Sequence, residues 1–175
     1  MSKNWSYTIK DENHPHNGKT LWSGRYCAVS AFIFGIFPDG IKILANKRGL
    51  GTPDYQGYWN CPCGFVEADE TLEQACSREV LEETKYFIHP NAFQFVNIES
   101  DPKICNNGNI TIRYYAILRE IPEITNFEGG EKNEVDEVKW ISIDEIESYN
   151  WAFNHLTRIK EIYNMINILF KHYGY

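Results

Sequence analysis

The sequence predicts an α/β domain in which a mixed β-sheet lies between helices. Three observations carry that expectation. YCAVSAFIFGI, Tyr26 to Ile36, is nearly continuously apolar and rich in strand formers, as a strand buried on both faces must be. Further strand-like runs recur at 41–48, 92–100, 110–119 and 137–142, divided by turn residues. Helical stretches, one opening at Thr71 and one spanning roughly 151–172, are interleaved with them.

Each element has a local cause. Residues 1–20 read as a polar N-terminal arm with an edge strand from Trp5 to Ile9, and residues 21–175 as one domain. FPDG (37–40) supplies turn chemistry between the apolar strand and IKILANKR, which predicts a hairpin. A glycine-rich loop, 49–57, leads to WNCPCGFVE, a short strand. Thr71 and Gln74 have the spacing of a capping box, which fixes a helix start. NNGN (106–109) separates two strands, and Ile143 to Tyr149 reads as a short helix. In the final helix the apolar positions 152, 156, 159, 162, 163, 166, 169 and 170 form one stripe, a packing face for the sheet.

Composition narrows the function. With 175 residues and 43% hydrophobic content, the chain can bury a substantial core. No run of about 18 apolar residues predicts a membrane span. The polar N-terminal stretch lacks the apolar core of a signal peptide. Five cysteines, at 27, 61, 63, 76 and 105, argue against a disulfide framework and fit a reducing, cytoplasmic setting. The formal charge of −7 gives no strong nucleic-acid signal. It is compatible with a small phosphorylated ligand held through metal ions.

REVLEET (78–84) is the most informative stretch. Glu79, Glu82 and Glu83 fall within an arc of roughly 100° on a helix. Leu72, Ala75 and Cys76 begin the same stripe, so packing surface turns into carboxylates. Each like-charge pair at this spacing costs about 0.2–0.5 kcal/mol. Two of the three also sit at the helix C-terminus, where the macrodipole disfavours negative charge. A solvated acidic face is the plain reading. Carboxylates that serve divalent cations, Mg²⁺ or Mn²⁺, are the sharper one.

From Gly64 the chain reads GFVEADETLEQACSREVLEETKY, which closely resembles the Nudix box. Gly64, Glu70, Arg78, Glu79, Val80, Glu82 and Glu83 fall on its matching positions, and Tyr86 on its final apolar one. Trp59, Pro62 and Glu67 also resemble this family. EVKWISIDEI (137–146) extends the resemblance over about 26–150. Two residues depart from the pattern. Cys63 stands where many relatives have glycine, and Lys85 stands at the last glycine of the box. That glycine would end the helix in a left-handed conformation, which costs a residue with a Cβ about 1 kcal/mol.

The resemblance implies a Nudix-like α/β/α sandwich that hydrolyses a nucleoside diphosphate linked to another group, X. Glu79, Glu82 and Glu83 would then bind Mg²⁺ (or Mn²⁺), with the Gly64 carbonyl contributing, and Arg78 would hold Glu79 in place. Glu79 or Glu82 is the first expectation for the general base, then Glu134, with Glu131 behind. The acidic stretch FEGGEKNEVDE (127–137) would be a loop at the site. The family often forms dimers, so a homodimer is part of the same expectation.

Other signals are weaker. Lys47 and Arg48 at a strand end, with Arg25 and Arg113, are candidates to meet phosphates. Tyr55, Tyr58 and Trp59 are candidates to stack on a base, against an equal case for packing. His89 and His155 are isolated and read as structural. The CxC spacing of Cys61 and Cys63 has no second pair at zinc-finger spacing, which argues against zinc.

The leading expectation is a diphosphohydrolase of ADP-ribose or nucleotide-sugar substrates. Pro102, sixteen residues beyond Tyr86, is a cue shared with many ADP-ribose pyrophosphatases. Alternatives are a house-cleaning nucleoside triphosphate pyrophosphohydrolase, a dinucleoside polyphosphate or RNA 5′-end hydrolase, and a non-catalytic nucleotide-sensing module. The box carboxylates weigh against the last.

Overall fold

The structure is a computed structural model that describes residues 6–8, 10, 12–13, 15, 17–22, 24–105, 108–126, 130 and 133–173. In chain order its strands are β1 (Ser6–Thr8), β2 (Thr20–Trp22), β3 (Cys27–Phe37), β4 (Gly40–Arg48), β5 (Trp59–Asn60), β6 (Cys63–Phe65), β7 (Gln94–Glu99), β8 (Ile110–Leu118) and β9 (Val135–Ser142). The helices are α1 (Leu72–Thr84) and α2 (His155–Tyr173), with short 3₁₀ turns at Pro90–Ala92 and Ile143–Ser148. β1 and β2 form a separate antiparallel pair, Ser6 opposite Trp22, so this ladder straddles the expected boundary at residue 20. Trp5, Ile9, Asn106 and Asn107 lie outside the described residues.

The main sheet is mixed. β3 pairs in parallel with β8, while its other partners, β4 and β6, run antiparallel to it. β3 is central because it is apolar on both faces. Val29, Ala31 and Ile33 pack with Ala75, Cys76 and Val80 of α1. Phe32 and Phe34 pack with Ile159, Ile162 and Ile166 of α2. Burying each such isoleucine or phenylalanine contributes about 1.5–3 kcal/mol. The packing stripe of α2 is as expected through Ile166, although the helix starts at His155, four residues after Trp151, and the side chains of Leu169 and Phe170 lie outside the described residues. Ala152 of the stripe is buried ahead of it.

One departure from a simple sheet builds the site. β3 and β4 pair from Phe34–Ile43 to Phe37–Gly40 and then part. Residues 59–65 enter the fork. β5 pairs with β4 (Asn46 opposite Asn60), and β6 pairs with β3 (Val29 opposite Gly64). The expected single strand is thus two short ones. The break lies at Cys61–Pro62, where proline lacks an amide to donate and its carbonyl accepts from Ala31 N–H at 2.8 Å.

Helix α1 begins and ends by identifiable chemistry. The Thr71 hydroxyl accepts from the Gln74 amide at 3.3 Å, and Gln74 Oε1 accepts from the Thr71 amide at 2.8 Å. At the other end Lys85 adopts φ 65° and ψ 8°, and its amide donates to Leu81 O at 2.9 Å. This is the left-handed cap that the box glycine would provide. Lys85→Gly relieves the Cβ strain but loses the Nζ contact to Glu82 O at 3.0 Å. We expect a net gain of up to about 1 kcal/mol, or about 2–4 °C in Tm. A Tm equal to or below the parent's in calorimetry means that the ammonium contact outweighs the strain.

Among the described residues, no helix is long and apolar enough to cross a membrane.

Candidate active site

Arg78 organises the acidic face of α1. Its Nε and Nη2 donate to the two oxygens of Glu70 at 3.0 and 2.6 Å, a bidentate pair. Nη2 also donates to Phe65 O at 2.8 Å, tying α1 to β6. Nη1 faces the acidic stripe and donates to Glu79 Oε1 at 2.7 Å and Glu82 Oε2 at 3.0 Å. Glu70 also accepts from the Glu67 amide at 2.9 Å, which fixes the loop before the helix. The fork that admits β6 brings Gly64 directly under Glu79. A Cβ at residue 64 would stand 2.1 Å from Glu79 Oε1, so only glycine leaves that carboxylate its place.

The carboxylates differ in surroundings. Glu79 is buried, and burial pushes its pKa up to about 7 against the opposing pull of Arg78. Glu83 is half-buried in the cleft wall. Burial and then the Glu79 charge push it well above the usual carboxylate range, while the Cys63 amide, donating at 3.2 Å, opposes them. Glu82 keeps 28% of its side chain exposed. Among the described residues no three His, Cys, Asp or Glu side chains are already gathered on one point as a metal site. The expected convergence is therefore to one cleft and not to one centre. Arg78 engages Glu79 and Glu82, and the Cys63 amide engages Glu83.

The donor set nonetheless fits a hard divalent cation. It consists of carboxylate oxygens with a backbone carbonyl beside a residue that has no Cβ, and like charges whose repulsion a cation would relieve.

These residues line a cleft of about 1180 Å³ that also includes Arg48, Arg113 and Glu134. Glu134 is held there because its carbonyl and that of Asn133 dock on neighbouring glycines. Gly49 N–H donates to Glu134 O at 2.7 Å, and Gly51 N–H donates to Asn133 O at 2.8 Å. Gly130 lies against the backbone of Glu82, 3.2 Å from a Cβ built there to Glu82 O. Phe127, Glu128, Gly129, Glu131 and Lys132 of the acidic stretch fall outside the described residues.

The remaining candidates take other places. Arg25 donates to Gly108 O (2.5 Å), Asn109 O (2.5 Å) and Ser100 O (2.6 Å), so it clips the β7–β8 connection. Trp59 is buried, edge-on to Tyr149 at 5.6 Å, as part of the α2-side core. Tyr58 packs edge-on against Tyr55 at 5.6 Å. Lys47 and Tyr58 are not in the cleft lining, whereas Arg48 is. Arg48 Nη2 is held by Asp54 at 2.6 Å. His89 caps the first 3₁₀ turn by accepting from the Asn91 amide at 3.2 Å.

His155 is buried, and its Nδ1 accepts from the Cys61 amide at 3.0 Å. Burial, then the charges of Arg113 and Arg48, push its pKa down to about 3. Above about pH 6.5 this histidine is neutral in both folded and unfolded chains. As pH falls from there toward 3, the unfolded chain takes up the proton first and stability declines, by up to about 1.4 kcal/mol per pH unit. His155→Asn keeps an acceptor and removes the titration. Urea melts at pH 7.5 and 5 should therefore show a smaller loss in the variant, and equal losses would remove His155 from the acid sensitivity.

A sequence profile described as the NUDIX domain matches residues 28–162. The chain belongs to the Nudix family. This Nudix domain is 31% identical over 137 residues to the ADP-ribose pyrophosphatase of Methanocaldococcus jannaschii, which takes in 78% of this chain and 74% of that protein. It is 29% identical over 111 residues to the NAD-capped RNA hydrolase NUDT12 of Homo sapiens. That match takes in 63% of this chain and 21% of that protein, so the chain spans about a fifth of that relative's length. The NUDIX domain of Shewanella oneidensis NrtR, solved in complex with ADP ribose, superposes with a TM-score of 0.66 at 22% identity. The superposition covers 83% of this chain and 90% of that one, and it speaks for the shared Nudix fold. Sequence alone placed Glu70 in the Nudix box without a role. Its bidentate pair with Arg78 is the contact that the fixed spacing of the box serves here.

Proposed function

We propose that the protein hydrolyses the diphosphate linkage of a nucleoside diphosphate joined to a group X, with ADP-ribose or a nucleotide sugar as the leading substrate class. The observation that carries this reading is the contact of Gly64 with the Glu79 carboxylate, inside an Arg78-anchored set that includes Glu82 and Glu83. Glu79, Glu82, Glu83 and the Gly64 carbonyl would hold Mg²⁺ or Mn²⁺. That ion supplies Lewis-acid polarisation of a phosphoryl oxygen and a water of lowered pKa. Arg78 keeps the stripe in register by tying it to Glu70 and Phe65 O. Glu79 or Glu82, and after them Glu134, would accept a proton from the attacking water; all three line the cleft.

The pyrophosphatase relative, matched over most of both chains, supports ADP-ribose within this class. A panel of ADP-ribose, nucleotide sugars, nucleoside triphosphates, dinucleoside polyphosphates and RNA 5′ ends, with product analysis, tests the choice. Chelation by EDTA should abolish turnover and Mg²⁺ should restore it, and turnover persisting in chelator would overturn the metal role.

A further inference from the structure

The acidic wall is one side of the cleft, and the other is cationic. Along β8, Ile112 and Tyr114 face α1, so Arg113 between them points to the α2 side of the sheet, where it also lines the cleft. It is buried (4% exposed). Among the described residues its guanidinium makes one hydrogen bond, from Nη1 to Asn97 Oδ1 at 3.1 Å, and takes part in no ion pair. Glu99, an acidic group close enough to act on Arg113, instead faces Arg158 at 3.8 Å, and Arg158 is bound by Glu161 at 2.6 Å. A guanidinium has five N–H donors, and burying unspent ones is costly unless something accepts from them. Arg158 Nε is sealed without a partner, but no Arg113 nitrogen is, so the unspent Arg113 donors stay accessible on a residue that lines the cleft.

A second feature points the same way. The N-terminus of α2, a 19-residue helix, opens here with Asn154 and His155 in the cleft lining. Its dipole adds positive potential. His155 is held neutral by burial and by the two nearby arginines, so the field is cationic without it. Arg48 is already spent on Asp54 and lies over the Phe153 ring at 5.1 Å. Phe153 and Tyr55, partly exposed with rings 4.9 Å apart, form an apolar rim.

We propose that this α2-side end of the cleft binds a phosphomonoester carried by X, with Arg113 as the specificity-determining residue. The proposal rests on the diphosphohydrolase reading and names its substrate class: a nucleoside diphosphate derivative with a further phosphate. A planar guanidinium fork and a helix N-terminus both suit a doubly charged phosphate. The cleft volume of about 1180 Å³ exceeds the range of about 300–1,000 Å³ typical of small-ligand sites, which leaves room for a ligand anchored at both ends.

The test compares ADP-ribose with ADP-ribose 1″-phosphate, whose added phosphate sits on the ribose that is X, by isothermal titration in EDTA, so that nothing is turned over. The phosphorylated member should bind the parent protein about tenfold tighter or more. In Arg113→Gln, checked for folding by circular dichroism, the two Kd values should come within about twofold. Equal affinities in the parent, no binding of the phosphorylated member, or a preference that survives Arg113→Gln would each overturn the proposal. If Arg113→Gln does not fold, the parent's ratio decides. Turnover of the same pair with Mg²⁺ is scored separately. Failure to cut either member removes ADP-ribose as the substrate, while the ratio of Kd values still judges the subsite.

Discussion

Replacing Glu82 by glutamine should lower kcat at least about a hundredfold, the lower end for a lost proton acceptor, which corresponds to about 2.7 kcal/mol of transition-state stabilisation. Glu82 keeps 28% of its side chain exposed and shares Arg78 Nη1 with Glu79. A glutamine oxygen can still accept from Arg78 at this position, so the α1 stripe stays in register. What is lost is the charge and the ability to take a proton. Circular dichroism and Tm should therefore match the parent while kcat collapses. A variant as active as the parent would remove Glu82 from the machinery and shift the base to Glu79 or Glu134.

Gly64→Ala should be comparably damaging to activity and gentle to the fold. The new methyl would meet Glu79 Oε1, Cδ and Oε2 at 2.1, 2.4 and 2.5 Å. Those atoms end a rotatable side chain, so the carboxylate swings away and the backbone of β6 stays paired. The swing breaks the 2.7 Å bond to Arg78 and removes Glu79 from beside the Gly64 carbonyl. We expect kcat/KM to fall about a hundredfold or more, with Tm lowered by only a few degrees, about 1–2 kcal/mol. Full activity would show that Glu79 does not need this contact. Outright unfolding would show that β6 cannot absorb the methyl.

Much of this was legible in the sequence, because the features concerned are local. The capping box follows from Thr71 and Gln74, three positions apart, whereas the left-handed cap at Lys85 was signalled by the box glycine that this lysine replaces. The burial of β3 follows from its unbroken apolar run. The acidic stripe of α1 follows from helical period. What stayed hidden depends on tertiary placement. Nothing local tells whether Trp59 stacks on a ligand or packs, and its core position follows from the fork between β3 and β4. Arg25 resembles any strand-end cation until the β7–β8 connection brings three carbonyls to it. Arg48 is similarly committed to Asp54 across a loop. Arg113 was one cationic candidate among four, and the two faces of β8 decide which way it points.

The parallel pairing of β3 with β8 also bears on how the chain reaches this state. Cys27 must find Ile110, and every rung up to Gly35–Leu118 spans a comparable stretch of sequence. Contacts that distant cost loop-closure entropy before they return any stabilisation, so assembly of the sheet should be slow beside that of the β3–β4 hairpin. During synthesis the most apolar strand of the molecule waits with one edge bare until Leu118 has left the ribosome. That interval is when misassociation is most favoured, and substitutions that weaken β8 are expected to reduce soluble yield before they reduce turnover.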